Sequence, residues 1–564
     1  MRSFAPFSDS RRPGCGPWRR VPDRQRHPGL ARGRYPVPQG GEKDMTTRQN
    51  TYPGLPFTRR GALGVLGGGA LAAGLIGPGA VRAQTPKKGG TLRIGMDGGG
   101  TSDSLDPTTY FYYHMYTVGF TLGNTLVELD ATKQPVPELA ESWEGTPDAK
   151  RWVFKMRKGV EFHNGKTVTA ADAAYSLNRH IAPDSKSAAK GFLQGVTSIR
   201  ADGDNVIIEH ETGDADMPSI MGQYHLVIVP DGFDDWSGFI GSGPYMLDSF
   251  DPGVRFTASR NPNYWKPDRA WVDKVDLSFI LDPTARASAL MTGGVDIIDY
   301  VDTKIVDRIK AMNRFQIIEN IGLAYHESVM DTRAKPFDSN DVREAVKFAI
   351  NREELVEKVY HGYGTVGNDH PVPPNDPFFN SELPQRPFDP DKARWHLKQA
   401  GLDKIDIELA AADGAFTGAV DAAVLMQASA DGTGVNIEVD RVPNDSYWSD
   451  VWMKRPYCVS NWGVRPTPSM MFSVAFACEA PWNETFWCND QFTQLLNQGK
   501  VETDFAKRKQ IFGEMQQMVH ANDGNAIFVF PSTLDGYAET VQGAAPDAVA
   551  LLMGCRVAER VWMA

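Results

Sequence analysis

The sequence lacks the residue patterns that mark the common enzyme active sites. It contains no Gly-x-Ser-x-Gly nucleophile elbow and no His-Glu-x-x-His pair, and its 11 histidines are scattered without the spacing of metal ligands. His163 and His370 fall in predicted turns, and His326 follows a tyrosine, so we interpret all three as structural. We therefore expect no catalytic residues, no metal and no cofactor.

Positive charge is scarce in the body of the chain. Residues 1–83 hold 14 basic and 4 acidic side chains, which leaves 45 basic and 66 acidic side chains in the remainder, a net charge of about −21. An acidic body repels polyanions, so we expect no nucleic-acid partner. At 564 residues the chain exceeds one ordinary core, and two or three domains are predicted.

The N-terminal segment has the features of a leader. Residues 1–44 are rich in Arg, Pro and Gly without an apolar period, which predicts a disordered or untranslated extension, and Met45 is the better start. Residues 45–83 then combine Arg59-Arg60, an apolar Gly/Ala-rich run and small residues ending at Ala83. This order predicts a twin-arginine signal peptide cleaved near Ala83 and export to the periplasm. A permanent membrane anchor is the alternative interpretation.

Cysteine is also scarce, with five in the chain. None lies near the predicted cleavage point, which argues against a lipid anchor, and the exported part would keep Cys458, Cys478, Cys488 and Cys555. An oxidising compartment permits disulfides, and Cys478 with Cys488 would close a short loop. The other interpretation is that these thiols are buried and free.

The most informative stretch runs from Trp143 to Arg179. Residues 151–162 alternate between apolar and polar side chains, as in a half-buried strand, and the following Asn164-Gly165 pair suits a tight turn. Thr169 and Asp172 are spaced as a capping box at the start of a predicted helix. The pattern predicts strand, strand, turn and helix in succession.

This succession closely resembles the signature of the family-5 extracytoplasmic solute-binding proteins, the peptide, nickel and oligosaccharide receptors of ABC importers. Further segments resemble family motifs in the same order along the chain, among them Gly241–Tyr245, Asn261–Trp265 and Gly293–Ile297. The resemblance is therefore colinear over most of the chain.

The resemblance implies an α/β, bilobal periplasmic-binding-protein fold (type II, cluster C-like) with an extra subdomain in the first lobe. Lobe I would combine residues 84–321 with 527–564, and lobe II would comprise residues 322–526. Residues 527–530 (Ile-Phe-Val-Phe) are expected to form the strand that returns to lobe I.

The implied function is capture of a small solute in the cleft between the lobes and delivery to an ABC transporter permease in the inner membrane. The solute would be peptide-like, opine-like or another anionic or polar organic compound, and the receptor a monomer. An exported hydrolase, or a periplasmic chaperone or sensor with the same fold, is the alternative.

Five residues are candidates for the ligand site. Tyr112 and Tyr113 belong to a run with four tyrosines in seven residues, at a place where the family has one wall of its cleft, although core packing would also explain each ring. Tyr325 lies near the start of the predicted second lobe. Trp462 belongs to a run that resembles the ligand-facing segment of the family's peptide receptors. Arg465 occurs where those receptors have an acid that pairs with the peptide amino terminus, which predicts a ligand with an anionic group. The alternative is that Arg465 turns away and pairs with an acidic neighbour.

Overall fold

Two large mixed sheets and one smaller sheet organise the chain. The computed structural model describes residues 85–564, so the predicted extension at 1–44 and the predicted signal peptide lie outside the described residues. We call the region around the seven-stranded sheet the first lobe and the region around the six-stranded sheet the second lobe. The α/β prediction is confirmed, because helices flank both sheets.

The seven-stranded sheet of the first lobe has parallel strands at its centre and antiparallel strands at its edges. With strands numbered in chain order, the order across this sheet is β12 (Phe315–Asn320), β19 (Thr533–Ala538), β11 (Ile297–Ile298), β1 (Thr91–Met96), β10 (Lys274–Phe279), β9 (Arg255–Arg260) and β8 (Tyr245–Asp251).

The six-stranded sheet of the second lobe contains, in spatial order, β14 (Gly364–Val366), β18 (Asn525–Pro531), β13 (Ala324–Met330), β17 (Tyr457–Gly463), β15 (Ile405–Ala411) and β16 (Val435–Arg441). A four-stranded antiparallel sheet comprises β4 (Ala140–Gly145), β5 (Arg151–Met156), β7 (Asn205–His210) and β6 (Val196–Asp202). Two short pairs complete the strands, β2 (Val127–Leu129) with β3 (Pro135–Pro137), and β20 (Val541–Gln542) with β21 (Trp562–Met563).

The helices are α1 (Tyr113–Leu122), α2 (Ala170–Ile181), α3 (Met217–Ile220), α4 (Pro283–Thr292), α5 (Val306–Lys310), α6 (Asn340–Ala349), α7 (Arg352–Lys358), α8 (Pro390–Gln399), α9 (Ala419–Ala430), α10 (Tyr447–Asp450), α11 (Pro468–Ala475), α12 (Asp490–Val501), α13 (Phe505–Asn522), α14 (Leu551–Cys555) and α15 (Val557–Arg560). Short 3-10 turns occupy Pro107–Thr109, Ala188–Gly191 and Thr303–Ile305.

The four-stranded sheet and α2 form where the sequence predicts them. Strand β5 alternates buried and outward residues, and Gly165 adopts a φ of 81° in the turn that precedes the helix. The Thr169 side chain accepts a hydrogen bond from the Asp172 amide, and the Asp172 carboxylate accepts one from the Thr169 amide. This reciprocal bonding satisfies two amides that the first turn of the helix leaves unpaired. The buried residues of β5 and α2 then share one hydrophobic core.

The chain passes between the two large sheets twice. The first passage, from β12 to β13, runs through residues 321–323. The second differs from the sequence expectation, because β18 pairs with β13 and β14 in the sheet of the second lobe. The chain therefore returns to the first lobe only at Ser532, between β18 and β19, rather than at residue 527.

Membrane-spanning and metal-binding elements are both absent from residues 85–564. Within that range, no helix is both long and apolar enough to cross a bilayer. In the same part of the chain, no group of three or more His, Cys, Asp or Glu side chains is arranged to hold a metal ion.

Candidate functional site

The first passage between the sheets brings the backbone close to the second lobe. Gly322 has a φ of 75°, and a Cβ at this position would lie 2.3 Å from Oδ1 of Asn375. The Asn375 side chain also donates a hydrogen bond of 2.8 Å to the carbonyl of Ile321. Only glycine fits so close an approach at a left-handed backbone position without displacing its neighbour. This passage is therefore held tightly against the second lobe.

A cavity of about 100 Å³ lies between the lobes at this passage. The first lobe contributes Tyr113, Gln223 and Tyr224 to its wall, and the second lobe contributes Arg465 from the segment that follows β17. Gly322 and Leu323, in the passage itself, complete the wall on one side. Concave sites between lobes that combine apolar walls with a few polar groups are the usual places of small-molecule binding.

Three tyrosine rings stand along the first-lobe side of the cavity. The ring of Tyr113 meets that of Tyr116 edge-on at 5.4 Å, and Tyr116 stacks on Tyr224 at 3.3 Å. Burial raises the pKa of all three hydroxyls, so they stay protonated at neutral pH. Tyr113 and Tyr224, which line the cavity, can thus offer a ligand both a ring and a hydrogen-bond donor.

Arg465 is the cation of the second-lobe wall. Its Nη1 lies 3.4 Å from the carbonyl oxygen of Gly463, and it forms no ion pair with any residue in the range 85–564. Its charge opposes the effect of burial on the pKa of Tyr113 and Tyr224, which places it electrostatically close to those rings. No acidic residue of the described range lines the cavity. The guanidinium therefore faces this space without a counter-ion from the described residues. In residues 85–564, Arg465 does not pair with an acidic neighbour, which was the alternative interpretation of its role.

Trp462 lies behind Arg465 and is held by a buried carboxylate. The Arg465 guanidinium lies 5.8 Å from the centre of the Trp462 ring. Nε1 of Trp462 donates a hydrogen bond of 2.6 Å to Glu484, whose other oxygen accepts from Nε1 of Trp452. Burial and the proximity of Glu484 raise the pKa of the adjacent Glu327 well above its usual range. One carboxyl group thus fixes two indoles, one of which lies beside Arg465.

The five candidates from the sequence are not all brought together. Tyr113 and Arg465 line the cavity, whereas Trp462 is buried beside Arg465. The Tyr112 hydroxyl instead donates to Asp97 of the first lobe at 3.0 Å. Tyr325 is fully buried, its ring packs against Phe530 at 6.2 Å, and its hydroxyl has no hydrogen-bond partner in the described part of the chain.

The sequence patterns do not single out Gln223, Tyr224, Lys133 or Glu484. The only signal for Tyr224 is an aromatic residue beside a histidine, and many surface segments share it. Lys133 is a different case, because it lines the cavity but is already neutralised by Asp376 of the second lobe at 3.2 Å. Among the described residues that line the cavity, Arg465 is thus the one cation without an acidic partner.

The cleft continues into a second cavity of about 220 Å³. Lys133 and Pro466 line both cavities, so the two spaces adjoin. The walls of the second cavity include the indoles of Trp143 and Trp152 and the ring of Phe378.

Of the cysteines in the described residues, only Cys555 lies at the cavity between the lobes. Cys478 and Cys488 are joined by a disulfide bond, whereas Cys458 and Cys555 are free and buried. Cys555 borders the cavity, and burial raises the pKa of its thiol, so it is not a reactive thiolate at neutral pH.

Of the three histidines singled out in the sequence, His370 is fully buried and His163 and His326 are partly buried, and all three are neutral at pH 7. Burial lowers the pKa of His163 to about 4, and that of His326 and His370 to about 3. None of the three lines the cavity.

Two lobes joined by two passages, with a walled cavity between them, define a two-lobed solute-binding protein. The chain matches the bacterial extracellular solute-binding proteins, family 5, over residues 134–484. It belongs to that family, as its sequence motifs predict. Members of this family are binding proteins that capture a solute outside the cytoplasm for an ABC importer.

Individual relatives agree with this membership. The chain is 24% identical over 472 residues to the dipeptide-binding protein of Escherichia coli, an alignment covering 76% of this chain and 86% of the relative. It is 29% identical over 310 residues to haem-binding protein A of Haemophilus influenzae, covering 49% of this chain and 56% of the relative. The PBP AgaA of A. tumefaciens R10, in complex with agropinic acid, superposes with a TM-score of 0.66 at 23% identity, covering 84% of this chain and 99% of that one. The last likeness confirms the type II bilobal fold.

Proposed function

We propose that this protein is a periplasmic receptor for a small organic anion, which it binds in the cavity between its lobes and delivers to an ABC transporter permease. The observation that carries the proposal is the Arg465 guanidinium, which faces the cavity without a carboxylate partner among the described residues. An unpaired charge in a closing cleft is costly, and an anion that enters with it removes that cost. The ligand supplies the missing counter-ion.

The chemistry of the walls narrows the class of anion. A carboxylate or phosphate accepts two parallel hydrogen bonds from a guanidinium, which an ammonium group cannot do. The protonated hydroxyls and rings of Tyr113 and Tyr224 suit a planar or ring-bearing organic group beside the anionic one. An opine-like acid or an amino-blocked peptide meets these requirements.

Free peptides are poorer ligands for this cavity. A peptide amino terminus is a cation, and no acidic side chain of residues 85–564 lines the cavity beside Arg465 to receive it. Of the acids that line the adjoining cavity, Asp216 and Asp376 are already paired with Arg508 and Lys133. Arg465 would in addition repel it. The name of the Escherichia coli relative states that it binds dipeptides. We do not transfer this specificity to the present protein.

The pairing of the strands supports lobe I as residues 85–321 with 532–564, and lobe II as residues 322–531. The four-stranded sheet would be the extra subdomain of lobe I. Closure of the lobes on the anion, through the two passages, would shift the population toward the form that a permease recognises. Export by the twin-arginine signal at residues 45–83, cleavage near Ala83 and a monomeric state are part of the proposal.

Native mass spectrometry of the freshly purified protein identifies the bound compound, and calorimetry with that compound then tests Arg465. Arg465→Ala is expected to weaken binding by about 2–5 kcal/mol, because it removes the charged partner of the anion, which closure of the lobes around the ligand would desolvate. Arg465→Lys should recover only part of the loss, since lysine lacks the planar fork.

The matched control is Arg394→Ala, which removes an exposed arginine on α8 of the second lobe that pairs with Asp391. It should leave the affinity unchanged. A cationic compound recovered from the cleft, or equal affinity for all three variants and the wild type, would refute the proposal.

A further inference from the structure

Asp216 extends from the first lobe into the second. It precedes α3, which packs in the core of the four-stranded sheet, and it is 1% exposed. Its carboxylate accepts a hydrogen bond of 2.6 Å from Oγ1 of Thr467 and another from Oγ of Ser469. Nη2 of Arg508 lies 2.5 Å from its other oxygen. All three partners belong to the second lobe.

The carboxylate has no side-chain partner in its own lobe within the described residues. The charged and polar groups that surround it are the buried side chains of Thr467, Ser469 and Arg508, together with Asp214 and Lys500. Burial and the adjacent Asp216 raise the pKa of Asp214. The neighbouring backbone crosses the same boundary, because the Ala215 amide donates to the Lys500 carbonyl at 2.7 Å. These contacts exist only when the lobes are together.

The contact is linked by the chain to the ligand-binding wall. Thr467 follows Arg465 by two residues, and its hydroxyl also caps the first turn of α11. A carboxylate that holds Thr467 and Ser469 therefore fixes both the start of α11 and the segment that carries Arg465. The Lys133–Asp376 ion pair crosses between the lobes elsewhere, on the boundary of the two cavities.

We propose that Asp216 is a positioning residue that latches the closed lobes and holds Arg465 in its ligand-binding place. This role rests on the proposed function, since it matters for binding only if Arg465 meets the ligand. The latch itself is a property of the lobes and can be measured without any ligand. When the lobes are together, one carboxylate oxygen of Asp216 accepts hydrogen bonds from Thr467 and Ser469 and the other lies beside the Arg508 guanidinium, and separation of the lobes breaks these contacts, so they favour closure.

Hydrogen exchange followed by mass spectrometry tests the latch on the full exported protein. Asp216→Ala is expected to accelerate exchange about ten-fold in peptides covering residues 213–217 and 463–470, because the Ala215 amide bonds to the second lobe and Asp216 holds the start of α11. Exchange in β18, at the centre of the second lobe, should stay as in the wild type. Asp216→Asn, which keeps an acceptor for the two hydroxyls but loses the charge opposite Arg508, should give an intermediate rate.

The matched control is Asp204→Ala, which removes an exposed aspartate of the four-stranded sheet that pairs with Lys158. It should exchange as the wild type does. Unchanged rates at 213–217 and 463–470 in Asp216→Ala would overturn the proposal. Equal acceleration throughout the protein, including β18, would also overturn it, because that result describes general unfolding.

The milder variant Ser469→Ala removes one donor to Asp216 without touching the Thr467 cap. It should accelerate exchange in the same peptides by a smaller factor, and it should add little to Asp216→Ala because both changes break the same contact. Full additivity of the two changes would overturn the latch. The anion proposal is tested separately by Arg465→Ala, so failure of either idea leaves the other measurable.

Discussion

Glu138 ties together segments of the first lobe that are far apart in the sequence. It is fully buried, and both of its oxygens accept from Arg556, at 2.8 and 3.0 Å. Lys266 lies 3.0 Å away, and the side chains of Asn124 and Thr125 each donate at 2.8 Å. One carboxylate thus joins the segment before β4, the segment after β9 and the C-terminal helices.

Glu138→Gln removes the charge while keeping the shape. Arg556 and Lys266 then stay buried with only Glu128 and Glu559 as nearby acids. Removing one partner of a buried ion pair costs about 3–5 kcal/mol, because the remaining charge is left in a poorly solvating interior. We expect a loss of stability of this size in the first lobe.

Urea denaturation followed by circular dichroism measures the effect. The control is Glu141→Gln, three residues along the chain, whose carboxylate pairs with Lys155 at the surface. Such a pair is solvated and contributes little, so the control should unfold as the wild type does. If Glu138→Gln unfolds at the same urea concentration as Glu141→Gln, the buried network does not stabilise the lobe and the reasoning is refuted.

Three further outcomes are expected. Burial lowers the pKa of His370 to about 3, and neither ring nitrogen has a hydrogen-bond partner in the described residues. The folded protein therefore favours the neutral imidazole, so the free energy of unfolding falls as the pH drops below about 6.5, where the unfolded chain takes up the proton. In urea titrations, the unfolding free energy of His370→Phe should decrease between pH 7.5 and pH 5 by about 2 kcal/mol less than that of the wild type. An equal decrease in the two proteins would contradict this. Peptide mapping without reduction should recover Cys478 linked to Cys488, and either residue found as a free thiol would contradict the pairing. Replacing Arg59 and Arg60 by lysine should leave precursor in the cytoplasm, and normal processing would contradict the twin-arginine route.

Patterns confined to neighbouring residues were predictable. The capping box of Thr169 and Asp172 and the turn at Gly165 depend on backbone geometry within a few residues, and the structure has both. The strand at residues 525–531 follows from its apolar run, but the sheet that it joins does not. Its partners in the second lobe are chosen by hydrogen bonds to β13 and β14, which lie far away in the sequence.

The sequence predicts only some of the side chains that line the cavity. Arg465 was a candidate from the sequence because it replaces an acid in a family motif, and it lines the cavity. Tyr112 and Tyr113 are adjacent and were equal candidates, yet only Tyr113 lines the cavity, because the start of α1 directs Tyr112 toward Asp97. Tyr224 has no motif of its own and is placed there by stacking on Tyr116.

The sequence by itself determined the family, the local elements and the acidic character of the body, since each depends on composition or on residues close together in the chain. The tertiary structure alone decided which charges find partners. Lys133 is neutralised across the cleft by Asp376, Asp216 is held by Thr467 of the other lobe, and Arg465 is left without a counter-ion among the described residues. The first two pairings join residues separated by more than 200 positions, and only the packing of the two lobes brings them within hydrogen-bond distance.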